Sequence, residues 1–268
     1  MADWNRFTRL GNVVDRRGMK SGGLGIVGVL AVVGISTLFG VNPLVILGEL
    51  EQQGMLAPTG TQENTQEFAG TDAYEDFSGR VLGSIDAYWE QHVEGYEPAA
   101  LVLFRDRTTS SCGGAVSVVG PHYCPLDRQI YLDERFFDEL QSRFGAEGGD
   151  VAEAYVIAHE VGHHLQNLLG LIPDNPSAEE SISTELTADC LAGAWLGSLQ
   201  SQGIYEDGEI SEAINAASAV GDDNIQQRTE GTIQPESWTH GSSAQREQSV
   251  QLGFRNHDNP EVCLDGRA

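Results

Sequence analysis

Residues 154–167 read AYVIAHEVGHHLQN, with His159 and His163 four apart and Glu160 directly after the first histidine. On an α-helix, positions four apart share a face, so both rings can offer a neutral nitrogen to one ion. Imidazole nitrogens bind Zn²⁺ at ~2.0–2.1 Å. Glu160 is turned about 100° from His159. It can therefore accept a proton from a water that zinc activates without itself being a ligand. This is the HExxH arrangement, and its chemistry is metal-assisted hydrolysis.

A catalytic zinc takes three protein ligands and keeps one position open. A third histidine shortly after His163 is excluded, because Gln166 and Leu169 occupy the positions where the metzincin pattern needs glycine and histidine. A glutamate from a following helix is the other common solution. The stretch STELTADCLAGAW supplies Glu185, with Asp189 one turn later on the same face. Glu185 completes a His-His-Glu set, and Asp189 can accept the remaining ring N–H of His159 and so fix its tautomer. Glu179 and Glu180 are alternatives for the third ligand, but they lie in a loop-like approach and lack the paired carboxylate. Attack on a carbonyl builds negative charge on its oxygen, so a donor should face the metal from the opposite wall. His240, in THGSSAQR, is the candidate, and Gly241 permits a tight approach there. Arg246 can orient that wall or a carboxylate. Tyr155 and Tyr123 are weaker donor candidates, and Tyr155 reads better as core. His164 reads as a surface or supporting residue, and His92, His122 and His257 receive no role.

The elements that must carry these groups are legible from periodicity. A helix over 150–170 has apolar flanks, VIA before the motif and LQNLLG after it. Gly162 costs that helix ~1 kcal/mol relative to Ala, which points to another backbone or a substrate close by. A second helix over about 182–201 would pack through Leu186, Leu191, Trp195 and Leu199. A core-facing helix is expected over 72–93, strands over 100–106, 114–120 and 129–134, a short helix over 135–144, and a third helix near 208–219. AVSVV could be an open edge able to hold an extended peptide. The tail from 222 is polar, with a turn at WTHGSS starting a last helix. The class is α+β, with a small sheet and an active-site helix.

The formal charge of the 268 residues is −25, from 40 acidic and 15 basic side chains. That field repels nucleic-acid phosphates, so nucleic acid is not an expected partner. Arg6, Arg9, Arg16, Arg17 and Lys20 concentrate in the first twenty residues, and no charge occurs between Lys20 and Glu49. A run of that length can cross a hydrocarbon core of ~30 Å, and its basic flank gives a cytoplasmic N-terminus. The expected organisation is a cytoplasmic basic tail over 1–21, a transmembrane helix over 22–48, a linker over 49–70 and a zinc metallopeptidase domain over 71–268. The location that follows is the cell membrane, single-pass, with the catalytic domain extracytoplasmic. A cleaved signal peptide and a buried glycine-rich core segment are the rival readings. Cys112, Cys124, Cys190 and Cys263 all follow this run. An even number suits two disulfides, with three possible pairings. Cys112 with Cys124 would close a short loop, and Cys190 with Cys263 would tie the chain end to the domain.

Several blocks taken together, NVVDRRG, CGGA, GPHYCPLDRQIYLDERFF, HEVGHHLQNLLG, ELTADCLAGAW, INAASAVGDD and THGSSAQR, resemble the bacterial neutral zinc metallopeptidase family, whose members are membrane-anchored. The resemblance implies a zincin-like domain with His159, His163 and Glu185 on Zn²⁺, Glu160 as base and Asp189 as the orienting carboxylate. The expected activity is endopeptidase cleavage of extended polypeptide by a zinc-activated water. The alternatives are a catalytically inactive metal-binding scaffold or interaction module, and an amidase acting on cell-wall peptides.

Overall fold

A computed structural model describes residues 1–8, 10–18, 72–116, 120–206 and 208–265. In chain order the elements are β1 (Val13–Asp15), α1 (Ala73–His92), β2 (Ala100–Leu103), β3 (Arg107–Ser110), β4 (Gly113–Val116), β5 (His122–Cys124), β6 (Gln129–Leu132), α2 (Phe136–Ser142), α3 (Asp150–Leu168), α4 (Ala178–Ser201), α5 (Ile210–Ala219), α6 (Asp222–Thr229), α7 (Ser243–Arg255) and α8 (Val262–Asp265). The described residues are thus α+β. They divide into two compact units, one of the described residues within 1–12, 72–99 and 137–265, the other of those within 13–18 and 100–136.

The second unit holds the strands. Its sheet has the order β1-β2-β6-β5. Strands β1, β2 and β6 run parallel, and β5 pairs antiparallel with β6, setting Tyr123 opposite Ile130. Alternate residues of a strand share a face, which brings Val102, Phe104 and Tyr131 into one cluster with Ala115 and Cys124. β3 and β4 form a separate hairpin, and the Cys112–Cys124 disulfide ties its turn to β5.

The first unit is helical. Asp72 caps α1 by accepting from the N–H groups of Tyr74 and Glu75, and the helix buries Val81, Leu82, Ile85 and Trp89. α4 begins four residues before the periodicity places it. The reason is a capping box: Ser177 accepts from Glu180 N–H, and the Glu180 carboxylate accepts from Ser177 N–H. A Ser-x-x-Glu start of this kind satisfies two otherwise open donors of the first turn. α4 and α7 are in backbone contact. A Cβ at Gly253 would lie 1.8 Å from the Cys190 carbonyl oxygen, and one at Gly193 would lie 2.1 Å from that of Val250. The Cys190–Cys263 disulfide joins α4 to the chain end beyond α7. The polar residues after 221, in which only a last helix was expected, also include α6. Asn224 anchors it by donating to the Ala219 and Phe144 carbonyls, contacts that a polar sequence pattern does not announce.

The first eighteen residues overturn the expected membrane topology. Trp4 is buried, stacks on Trp195 of α4 and donates its indole N–H to Asp150 at the start of α3. In the other unit, β1 lies in register along β2, and the buried Arg17 guanidinium pairs with Asp15 and Glu134. A single span over 22–48 would put residues 1–18 and the residues after 72 on opposite faces of a bilayer, whereas they are built into the same units. Among the described residues no helix is long and apolar enough to cross a membrane. Residues 22–48 and the linker 49–70 lie outside the described residues. The transmembrane helix, the cytoplasmic tail, the single-pass cell-membrane location and the extracytoplasmic catalytic domain are therefore withdrawn. The physical reason is specific. Absence of charge reports a transfer energy, while a span also needs flanks that are separable. Of the arginines read as a cytoplasmic flank, Arg6 donates to the Gln202 carbonyl and Arg16 to that of Thr109.

Candidate metal centre

Two helices of the first unit build the site. α3 carries His159 and His163, and α4 packs against it with Glu185 facing them. The approach is close because Gly162 leaves room. A Cβ there would stand 2.9 Å from the Ala188 Cα and 3.0 Å from its carbonyl oxygen. The helix cost of this glycine thus admits the α4 backbone, one of the two explanations its position suggested.

The structure brings His159, His163 and Glu185 together. Nε2 of His159 is 3.1 Å from Nε2 of His163 and 3.2 Å from Oε2 of Glu185, and Nε2 of His163 is 3.4 Å from Oε1 of Glu185. One ligand atom from each lies within 4.8 Å of the others. The far side of each ring is anchored. His159 Nδ1 is 2.8 Å from Asp189 Oδ1, and His163 Nδ1 is 2.9 Å from Gln166 Oε1. An imidazole that donates from Nδ1 to an acceptor keeps its Nε2 lone pair for the opposite side. With both rings neutral, two such lone pairs and a carboxylate face one another, an arrangement that positive charge, whether a metal ion or a proton on a ring, stabilises. Two imidazoles and one carboxylate oxygen, with no sulfur, suit zinc with an open position.

The electrostatics point the same way. Burial alone would lower the His159 pKa, but its hydrogen bonds to Asp189 and Glu185, and their charges, raise it to about 10. Burial alone would raise Glu185, and the two histidines instead hold it well below the usual carboxylate range. Asp189 is fully buried, and Arg246 and His159 more than reverse the effect of that burial, bringing it to about 2. Four hydrogen bonds make the buried anion tolerable. Its Oδ1 accepts from Tyr155 Oη at 2.5 Å, from His159 Nδ1 and from Arg246 Nη2 at 2.9 Å, and its Oδ2 accepts from Arg246 Nε at 2.8 Å. Arg246 also lies 3.9 Å from Glu185 Oε2.

The remaining expected residues are dispersed as follows. Glu160 is buried on α3 beside His159. His240 lies in the turn before α7, where a Cβ on Gly241 would stand 3.2 Å from Ile182 and 3.5 Å from Leu186, both on the stretch of α4 that carries Glu185. Glu180 caps α4 and Glu179 is exposed in its first turn, so neither joins the cluster. Tyr155 is buried in the core, the reading preferred for it, and Tyr123 belongs to β5 in the other unit. His164 differs from expectation: it is 1% exposed, with Nε2 2.6 Å from the Glu97 carbonyl oxygen. It faces the core side of α3, where that carbonyl satisfies a buried nitrogen.

Two residues escaped the sequence reading. Gln166 was legible in principle, since it sits three positions after His163 on the same helical face. Asp222 was not, because it lies 18 residues from His240 with no periodic relation to it. Its Oδ2 accepts from the N–H groups of Thr239, His240 and Gly241 at 2.8, 2.7 and 3.0 Å, and its Oδ1 is 3.0 Å from His240 Nδ1.

Known proteins resemble this chain over most of its length. The family described as "Putative neutral zinc metallopeptidase" matches residues 2–264. The chain belongs to this family. Among its relatives it is 40% identical over 221 residues to a protein of Escherichia coli named "Uncharacterized protein YpfJ", covering 77% of this chain and 76% of the relative. It is 42% identical over 212 residues to "Uncharacterized protein Rv2575" of Mycobacterium tuberculosis, covering 72% of each. No solved structure matches the chain. The name of this neutral zinc metallopeptidase family and the nitrogen and oxygen donors of the α3–α4 cluster imply the same metal.

Proposed function

We propose that this chain is a zinc endopeptidase that cleaves extended polypeptide, with His159, His163 and Glu185 holding the ion. The observation that carries the proposal is the convergence of both Nε2 atoms and the Glu185 carboxylate while Asp189 and Gln166 hold the Nδ1 atoms behind them. A zinc bound there supplies a Lewis acid that polarises a carbonyl and makes water a nucleophile at neutral pH.

The chain's own groups divide the remaining work. Glu160, buried next to His159 and outside the ligand set, takes the proton of the attacking water and returns it to the leaving amine. Asp189 keeps His159 oriented, and Arg246 keeps Asp189 ionised. His240 donates to the carbonyl oxygen as negative charge develops on it, its ring held by the Asp222 hydrogen bond.

The test uses the full chain loaded with one zinc and an unfolded polypeptide. Cleavage is expected. Glu160→Gln is expected to lower turnover by about 10²–10⁴-fold, the usual worth of a positioned general base, while metal content stays at one per chain. Cleavage that survives the substitution would remove Glu160 from its role. Stoichiometric zinc with no turnover in the unaltered chain would favour a binding scaffold.

A further inference from the structure

Gln166 lies in the last turn of α3, is 3% exposed and makes two directed contacts. Its Nε2 donates to the Thr184 carbonyl oxygen at 2.8 Å, and its Oε1 is 2.9 Å from His163 Nδ1. The two ends of an amide are not interchangeable here. A carbonyl can only accept, so the end facing Thr184 must be the NH₂ group. The other end must then be the oxygen, which can only accept, so His163 Nδ1 must carry a hydrogen. In the neutral ring the lone pair is thereby left on Nε2, the atom that faces His159 and Glu185. Polarity thus runs one way from a backbone carbonyl of α4 through one side-chain amide to the ring on α3. Thr184 directly precedes Glu185. The same amide therefore fixes the tautomer of one prospective ligand and ties its helix to the backbone beside another.

We propose that Gln166 is a positioning residue that sets the Nδ1–H tautomer of His163 and holds the two ligand-bearing helices in register for the metal. Its effect on metal binding rests on the reading of the cluster as a zinc site, whereas its effect on the tautomer does not. Supporting partners of ligand histidines are worth about 10–100-fold in metal affinity. Methionine is close in length to glutamine but neither donates nor accepts strongly at these positions, so Gln166→Met removes both contacts. Gln166→Glu keeps an acceptor for His163 and loses the donor to Thr184.

The experiment uses the full chain selectively labelled with ¹⁵N-histidine, together with zinc titration against a chromophoric chelator. In the unaltered chain His163 is expected as the Nδ1–H tautomer. Gln166→Met is expected to give a mixed tautomer and about 10–100-fold weaker zinc binding, and Gln166→Glu to keep the Nδ1–H signal. An Nε2–H tautomer for His163 in the unaltered chain overturns the proposal, and this measurement needs no variant to fold. Unchanged tautomer and zinc affinity within twofold in a folded Gln166→Met also overturn it and leave the metal reading standing. If the unaltered chain binds no zinc but His163 is Nδ1–H and becomes mixed in Gln166→Met, the metal reading fails and the tautomer role of Gln166 stands.

Discussion

Replacing Arg246 with methionine tests how the buried anion beneath the site is tolerated. The substitution removes the donors at 2.8 and 2.9 Å from Asp189 and leaves Tyr155 and His159 on Oδ1. Asp189 is 0% exposed, so its uncompensated charge stays in a low dielectric. Breaking a buried pair in this way costs about 3–5 kcal/mol. The depression of the Asp189 pKa from 3.8 to about 2 corresponds by itself to about 2 kcal/mol. At about 2–4 °C per kcal/mol for a body of this size, Tm should fall by about 6–20 °C. The sign with pH follows from the depressed pKa. The Asp189 contribution is fully present above about pH 4 and is lost as pH falls through about 2. The gap between Arg246→Met and the unaltered chain should therefore be wide at pH 7 and narrow below pH 4. Replacing Asp189 with leucine in the same chain should recover part of the loss, because no charge is then stranded. Thermal and urea unfolding across pH 3–8 measures all of this. A loss below about 1 kcal/mol at pH 7 would refute the account of Asp189 as a charge held by Arg246.

Asp222→Asn should destabilise the chain by about 1–3 kcal/mol. Burial would raise the Asp222 pKa, but its bonds to His240 and neighbouring N–H groups lower it. The destabilisation should therefore shrink as pH falls below the ordinary carboxylate range, as followed by urea titration from pH 7 to pH 3. Reduction of Cys190–Cys263, 73 residues apart, should cost about 4 kcal/mol by chain entropy, and of Cys112–Cys124, 12 apart, about 3 kcal/mol. Cysteine-to-alanine pairs compared by urea unfolding give both values. Gly253→Ala drives a methyl into the Cys190 carbonyl oxygen and should cost about 2 kcal/mol or more, whereas Gly170→Ala, in open space at φ 68°, should show only backbone strain of about 1–2 kcal/mol.

The members of the site were legible because helical geometry converts short spacings into shared faces. His159 with His163, and Glu185 with Asp189, each lie one turn apart. Their mutual placement rests on the small residues Gly162 and Ala188, only the first of which stood out in the sequence. Asp222 was illegible for the opposite reason: it reaches His240 across a turn between two helices, and no period encodes that contact. The same limit explains β1 and β5, strands of three residues each, too short to show alternation. It explains the N-terminus as well. Trp4 lies in the segment whose arginines read as a membrane flank, and only the partners Trp195 and Asp150 reveal it as core.

The helix α4, which carries Glu185, is held unequally along its length. From Leu186 to Leu199 it is almost wholly buried, pinned by glycine contacts and a disulfide, while residues 178–185 are exposed or half-buried and rely on the Ser177–Glu180 cap. Fraying inward from the capped end would reach Glu185 before it met the clamped portion. Amide exchange at 178–185 and occupancy of the carboxylate would then report one equilibrium. An ion seated at Glu185 would act as a rivet on the loose end of a cantilever.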